Sequence, residues 1–105
     1  MYSAYPLLSP AHFSILLALS LKPRHGYELM QQISHDSLEA LQIGPGALYS
    51  ALKRLSADNL IEELPGETTT DRRRQYRLTK KGWDRLEREL VYYKHLISLS
   101  EQRHI

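Results

Sequence analysis

One stretch constrains the fold more than any other: GPGALYSALKRLSADNLI, residues 44–61, which reads as a helix with a marked start and end. Gly44 and Pro45 suit the entry, because proline lacks an N–H that the first helical turn would leave unpaired. Asn59 tolerates the left-handed backbone conformation and predicts the end. Leucines at spacings of four and three predict a single apolar face: Leu48, Leu52 and Leu55.

The opposite face of this helix is small, hydroxylated and cationic. Successive residues of a helix are rotated by about 100°, which places five residues on this face and Tyr49 at its edge. The five are Gly46, Ser50, Lys53, Arg54 and Ala57. Such a face suits a DNA major groove, because small residues allow close approach while hydroxyls and cations reach base edges and phosphates. A solvated face on an ordinary core helix is the alternative, and the segment alone favours it.

The residues that follow predict a hairpin and reverse that preference. Residues 61–64 form a short strand, Pro65-Gly66 ends it, and the alternation in RQYRL indicates a second strand. Helix, strand, basic loop, strand, helix is the order of a winged helix-turn-helix. Arg72, Arg73 and Arg74 would lie on the descending arm of this wing, beside a DNA backbone, although loop arginines are also often only solvated charge.

The charge distribution agrees with a local site. The 105-residue chain has a net charge of +2, too small by itself to indicate nucleic acid. The net charge is +4 over residues 67–81, −2 over residues 1–66 and zero over residues 82–105. The positive charge is therefore concentrated in the wing and its exit, where a phosphate contact would be needed.

Helices are also predicted before and after this region. Ser9-Pro10 starts a first helix that runs to about residue 21 and is apolar nearly all round, so we expect it to be buried on two sides, one of them against a partner subunit. His25-Gly26 starts a second helix, whose core-facing residues are predicted to be Tyr27, Met30 and Ile33. Thr79 can cap a last helix of more than twenty residues.

The last helix carries two apolar lines. A heptad seam comprises Trp83, Leu86, Leu90, Tyr93 and Ile97, and a second line comprises Tyr92, Leu96 and Leu99. A domain this small cannot cover both, which predicts packing against a second copy across a two-fold axis. The predicted dimer interface is Leu16, Leu19, Leu86, Leu90, Tyr93, Leu96 and Ile97. A monomer whose last helix folds back is the alternative.

The expected fold class is mainly α with a small two-stranded β-hairpin: a winged helix-turn-helix plus a long C-terminal dimerisation helix. Residues 1–105 are expected to form a single unit, with the winged helix-turn-helix over 9–78 and the dimerisation helix over 79–104. The apolar run of residues 15–19 is too short to span a membrane, and no basic region precedes it, so a cytoplasmic protein without a membrane partner is expected.

The sequence offers nothing for an enzyme, and no cofactor is expected. The absence of cysteine excludes disulfides, thiolate metal sites and cysteine nucleophiles. The five histidines include no i, i+4 pair, so no metal site is predicted. Glu62 and Glu63 are neighbours on a strand, so their carboxylates point to opposite faces and cannot act together as acid and base. No nucleophile motif or glycine-rich phosphate loop is present.

In combination, HGYELMQQI, GPGALYSALKRL, NLI and RRRQYRLTKKG resemble the PadR-like winged-helix transcriptional regulators, over about residues 12–90. The resemblance implies a homodimeric bacterial repressor whose third helix enters the major groove of a palindromic operator in double-stranded DNA. The implied DNA contacts are Tyr49, Ser50 and Lys53 on the helix and Arg72, Arg73, Arg74 and Gln75 on the wing. Ser50 replaces the proline common in the family, and Asn59 replaces its glycine.

Ligand-responsive members of that family bind flat aromatic compounds at the dimer interface. The resemblance implies that Tyr92 and Tyr93 could stack on a small aromatic effector, although tyrosines that simply pack the dimer seam fit equally well. The rival function is a winged-helix protein–protein interaction module without DNA binding. The cationic helix face and the wing arginines argue against it, because docking faces more often expose apolar anchors.

Overall fold

A computed structural model describes residues 7–65 and 74–105 of the chain. Across these residues the helices are α1 (Pro10–Leu19), α2 (Gly26–Asp36), α3 (Pro45–Ala57) and α4 (Lys80–Gln102). The strands are β1 (Arg24–His25), β2 (Ile61–Leu64) and β3 (Gln75–Leu78), and they form one antiparallel sheet in the order β1-β3-β2. The expected mainly helical winged helix-turn-helix is confirmed, and the hairpin gains a short third strand.

The predicted helix ends follow from local hydrogen bonding. Ser9 caps α1 by accepting a hydrogen bond from the backbone of His12 at 3.2 Å, and proline occupies the first turn. Thr79 caps α4 in the same way, with its Oγ1 3.0 Å from the backbone nitrogen of Gly82. Asn59 follows α3 with a φ of 60°, which is the left-handed conformation expected of it. These starts and the stop of α3 are confirmed.

Helix α1 lies at the centre of the core, and this corrects part of the predicted dimer interface. Leu16, Leu19 and Leu86 are 0%, 3% and 2% exposed and pack within the chain's own hydrophobic cluster. Helices α2, α3 and α4 and strand β3 all contact α1 and cover its buried leucines, whereas Phe13 and Leu17 are only partly buried. These three leucines therefore leave no surface for a second copy and are core residues of one protomer.

One core assignment on α2 is wrong. Tyr27 was expected to face the core with Met30 and Ile33, yet its side chain is 61% exposed. The buried face of α2 is centred on Leu29, with Ile33 one turn later, and Met30 packs at its margin. Tyr27 lies about 200° around the helix from Leu29 and therefore points to solvent.

Strand β1 ties the start of α2 to the wing. Arg24 pairs with Tyr76, and His25 pairs with Gln75, in antiparallel register. The buried Arg24 side chain donates from Nε to the carbonyl oxygen of Ala18 at 3.1 Å. The wing is therefore anchored to α1 and α2 as well as to α3, which fixes its position relative to the exposed face of α3.

Helix α4 has a covered first half and an uncovered second half. Leu86 and Glu89 are buried, and Leu90 packs against the core. Beyond Leu90 the same helix exposes large apolar side chains: Val91, Tyr92, Leu96 and Ile97. Since 23 residues of helix span about 35 Å, α4 extends well past a core of this size, and the molecule measures 55 Å along its longest axis.

Candidate nucleic-acid interface

Helix α3 separates into the two faces that its sequence predicts. Its back is buried, with Leu48 and Leu55 at 0% exposure and Leu52 at 2%. Its front is open to solvent over five positions, Gly46, Ser50, Lys53, Arg54 and Ala57. The front is therefore a continuous small and cationic strip backed by rigid core packing, which is a geometry that a duplex groove can accept.

Tyr49 marks the sheet side of this strip. Its ring lies over the first turn of α2, where a Cβ added to Gly26 would stand 2.7 Å from the Tyr49 Oη. A larger residue at position 26 would require the Tyr49 ring to move, so Gly26 leaves the space that this ring occupies against the start of α2. About half of Tyr49 is still exposed.

Arg54 marks the other side, next to α4. Its Nε lies 3.2 Å from the Asp58 Oδ2, one turn later on the same chain. The Nζ of Lys81 donates to the carbonyl oxygen of Asp58 at 3.0 Å, which brings the start of α4 to this edge. The predicted contacts of α3 therefore spread across its face, with Ser50 and Lys53 in the middle and Tyr49 and Arg54 at opposite edges.

Of the three arginines predicted for the wing, Arg74 is among the described residues. Arg72 and Arg73 lie outside the described residues. Arg74 and Gln75 are exposed at the start of β3, and the Nη1 of Arg74 lies 3.3 Å from the Glu63 Oε1 on β2. A second ion pair joins the Nε of Arg77 to the Glu62 Oε1 at 2.6 Å.

A buried tyrosine lies at the root of the wing. Tyr76 is 8% exposed, and burial raises the pKa of its hydroxyl above 10.0. Glu63 raises this pKa further, through its charge and by a hydrogen bond with the hydroxyl, while the charge of Arg74 lowers it. Glu63 therefore interacts with both Tyr76 and Arg74 beside α3. Its role could not be predicted from the sequence, because nothing local in the sequence indicates that Glu63 meets Arg74.

Lys81 was also missed as a neighbour of the exposed face of α3. The sequence places Lys81 within the basic segment but gives no sign that α4 begins beside Asp58. A signal for the close approach does exist in Gly82, a poor helix former in the first turn of α4. A Cβ at Gly82 would overlap the carbonyl oxygen of Leu60, so the glycine allows α4 to start against the end of α3.

The two tyrosines predicted to meet an effector belong to an aromatic cluster between α1 and α4. The ring of Tyr93 lies edge-on to Phe13, with centroids 5.1 Å apart and an interplanar angle of 67°. Tyr92 and Tyr93 are likewise edge-on at 5.3 Å and 63°. Such pairs prefer this geometry because the ring edge is positive and the face negative. The cluster lies where α4 leaves the core.

Two other kinds of site were sought among the described residues. Within residues 7–65 and 74–105, no group of three or more histidine, aspartate or glutamate side chains is placed to hold a metal ion. Across the same part of the chain, none of the helices combines the length and the apolar character needed to cross a membrane.

Comparison with known proteins agrees with this architecture. Residues 15–88 match the model of the Transcriptional regulator PadR-like family. A 71-residue stretch, 66% of this chain, is 38% identical to an uncharacterised protein from Lysinibacillus sphaericus and covers 65% of that protein, just under two thirds. A PadR family transcription regulator from Clostridium difficile superposes with a TM-score of 0.77 and 26% identity, over 92% of this chain and 100% of that one.

A second solved structure gives the same result. A transcriptional regulator from Clostridium thermocellum superposes with a TM-score of 0.73 and 27% identity, over 87% of this chain and 89% of that chain. The family match covers more than half of the chain and includes all three of the elements that form the candidate interface, namely α3, β2 and β3. The chain therefore belongs to the PadR-like family of transcriptional regulators.

Proposed function

We propose that this protein is a sequence-specific DNA-binding regulator that represses transcription as a homodimer on a palindromic operator. In this proposal α3 of each subunit enters a major groove, where Ser50 and Lys53 meet base edges and phosphates. The wing residues, including Arg74 and Gln75, contact the flanking backbone. The observation that carries the proposal is the exposed cationic strip of α3, held by buried leucines beside a three-stranded wing.

A salt titration of DNA binding tests this proposal. We expect fluorescence anisotropy to show binding to a random 20-base-pair duplex, and two phosphate contacts per subunit would give a slope near −3.6 in log affinity against log salt. Affinity would then fall about 150-fold between 50 and 200 mM salt. Absence of binding at 50 mM salt would contradict the proposal and favour the protein-docking function.

A charge-matched pair of variants locates the contact. Lys53→Ala removes a cation from the middle of the α3 strip, so we expect the salt slope to become shallower by about 1.8 for the dimer. Lys94→Ala removes the same charge from an exposed position in the second half of α4 and should leave the slope unchanged. Equal effects from both variants would show that net charge, and not α3, controls binding.

The homodimer part of the proposal depends on the uncovered half of α4. The predicted interface is now confined to residues that a partner could reach, Leu90, Tyr93, Leu96 and Ile97. Tyr93, Leu96 and Ile97 continue the face on which Leu86 and Leu90 meet the core. Exposed apolar surface that continues a buried stripe favours a second copy of the same helix as its cover.

Sedimentation velocity tests the homodimer. We expect wild-type protein to sediment as a dimer at micromolar concentration, and Ile97→Asp to shift it toward single subunits. Val91 is the matched control, because it is similarly apolar and exposed but lies about 120° away from Ile97 around α4. If Val91→Asp dissociates the protein as strongly as Ile97→Asp, the assigned face of α4 is wrong.

The aromatic cluster supports release by a small aromatic effector as part of the proposal. Tyr92 is partly exposed and edge-on to Tyr93, so a flat phenolic ring has an aromatic surface to stack on at the exposed end of the cluster. Titration with 4-hydroxycinnamate, followed by DNA release in anisotropy, tests this step. We expect Tyr92→Ala to abolish the response and Tyr27→Ala, an exposed tyrosine on α2, to retain it. An unchanged response in Tyr92→Ala would refute the assignment.

A further inference from the structure

The two glutamates of β2 are paired with arginines on opposite faces of the hairpin. Ile61 pairs with Leu78, which sets the register, so Glu62 lies opposite Arg77 and Glu63 lies opposite Tyr76. Because Tyr76 and Leu78 are buried, their face is the one that turns toward the core. Glu63 is therefore on the side of the hairpin that meets the helices, and Glu62 is on the outer side.

Glu63 has a neighbour on each side. It lies directly opposite the buried Tyr76 across the two strands, and the Nη1 of Arg74 approaches its Oε1 to 3.3 Å. Tyr49 of α3 is close enough to Tyr76 to influence the pKa of its hydroxyl, which locates this group at the junction between wing and recognition helix. The carboxylate of Glu63 therefore stands beside Arg74 at the position that a phosphate would approach.

The position of this carboxylate has an electrostatic consequence. In the free protein Glu63 neutralises the charge of Arg74, so that Arg74 contributes little attraction toward any nearby duplex. A phosphate that recruits Arg74 must replace the carboxylate as its partner and tolerate a negative charge beside it. This exchange costs free energy on any duplex, so a duplex gains little from Arg74 while Glu63 carries its charge.

We propose that Glu63 is a specificity-determining residue of the DNA site, an inference that rests on the proposed function. By occupying Arg74, it weakens binding to duplexes that offer only phosphates. A duplex that also forms base contacts with α3 is held in register by those contacts, so it binds while Arg74 remains paired with Glu63. Discrimination then comes from a repulsive group as well as from attractive contacts.

The test compares Glu63→Gln with Glu62→Gln on two probes: a random 20-base-pair duplex and the duplex that wild-type protein enriches most from a random library. Glutamine keeps the shape of the side chain but removes its charge. We expect Glu63→Gln to bind the random duplex about fivefold tighter and the enriched duplex less than twofold tighter. Its salt slope should steepen by about 0.9 per subunit. Glu62→Gln removes the same charge from the outer face and should change either affinity less than twofold.

A double-mutant cycle with Arg74 keeps the test independent of any change in stability. On the random duplex, Arg74→Ala should cost less than twofold in wild-type protein and about fivefold in the Glu63→Gln background. Equal effects of Glu62→Gln and Glu63→Gln, or no coupling to Arg74, would overturn the inference while leaving DNA binding itself intact. Failure of wild-type protein to bind either duplex at 50 mM salt would overturn the proposed function and the inference together.

Discussion

The contact between Gly82 and Leu60 makes a strong quantitative prediction about stability. Gly82 lies in the first turn of α4, and a Cβ there would overlap the Leu60 carbonyl oxygen and stand 3.3 Å from the Cδ2 of Leu78. The same carbonyl accepts a hydrogen bond from the backbone nitrogen of Thr79 at 3.1 Å. Because the obstacle is backbone, no rotamer change can relieve it, and Gly82→Ala must displace α4 from the end of α3.

The expected magnitude follows from three opposing contributions. Alanine is the better helix former by about 1 kcal/mol, which favours the variant. Overpacking against an immovable group costs about 2 kcal/mol, and weakening the Thr79–Leu60 hydrogen bond costs about 1 kcal/mol. Gly82→Ala should therefore lower the free energy of unfolding by about 2 kcal/mol. This corresponds to a fall of about 10 °C in Tm for a domain of this size.

Urea unfolding at one fixed protein concentration measures this change, since self-association makes apparent stability depend on concentration. Gly46→Ala is the matched control, because Gly46 also lies in the first turn of a helix and an added Cβ there has nothing within 4 Å. It should raise the free energy of unfolding by about 0.5 to 1 kcal/mol. An unchanged or raised stability for Gly82→Ala would refute the packing argument.

Three further predictions concern the core, a cap and the wing. Leu16→Ala should lower the free energy of unfolding by about 3 kcal/mol in urea, because the fully buried side chain leaves a cavity; Ile97→Ala should change it by less than about 0.5 kcal/mol in protein diluted to single subunits. Thr79→Ala should lower the free energy of unfolding by about 1.5 kcal/mol in the same assay. The Thr79 hydroxyl accepts a hydrogen bond from the Gly82 nitrogen and donates one to the Asn59 carbonyl oxygen, so Thr79→Ser should retain most of the wild-type stability. The folded-state pKa of Tyr76 is raised above 10.0, so the urea midpoint should not depend on this group below pH 10. The midpoint should fall as the pH rises through the folded-state pKa, and Tyr76→Phe should remove the part of this fall in the urea midpoint that Tyr76 causes.

Local chemistry in the sequence was sufficient to predict where most elements begin. Ser9, Pro45 and Thr79 specify helix starts through hydrogen bonds or missing donors within a few residues, so no tertiary information is needed. The leucine spacing of α3 likewise predicted its buried face, because periodicity along one helix reports directly which side is covered. Helix α1 ended two residues earlier than expected, at Leu19, a difference typical of frayed helix ends.

Contacts between residues distant in the sequence could not be predicted from local patterns. An all-apolar α1 indicates burial on both sides but does not tell whether the second cover is another copy or the same chain; for Leu16 and Leu19 it is the same chain. Strand β1 has two residues, too few for a period of two to appear, so it was missed. Glu89 reads as a surface residue, yet it is 2% exposed and accepts a hydrogen bond from the Leu8 nitrogen at 2.6 Å.

The electrostatics of the candidate site show the same division between local and distant information. The net charge of residues 67–81 describes the wing as strongly basic, but antiparallel pairing brings the two glutamates of β2 alongside it. Which glutamate faces α3 depends on register, and the buried pair of Ile61 and Leu78 sets that register. A slip of one residue would turn Glu63 to the outer face and expose the apolar pair. An apolar contact therefore determines which carboxylate stands beside Arg74, and a count of charges along the chain cannot predict it.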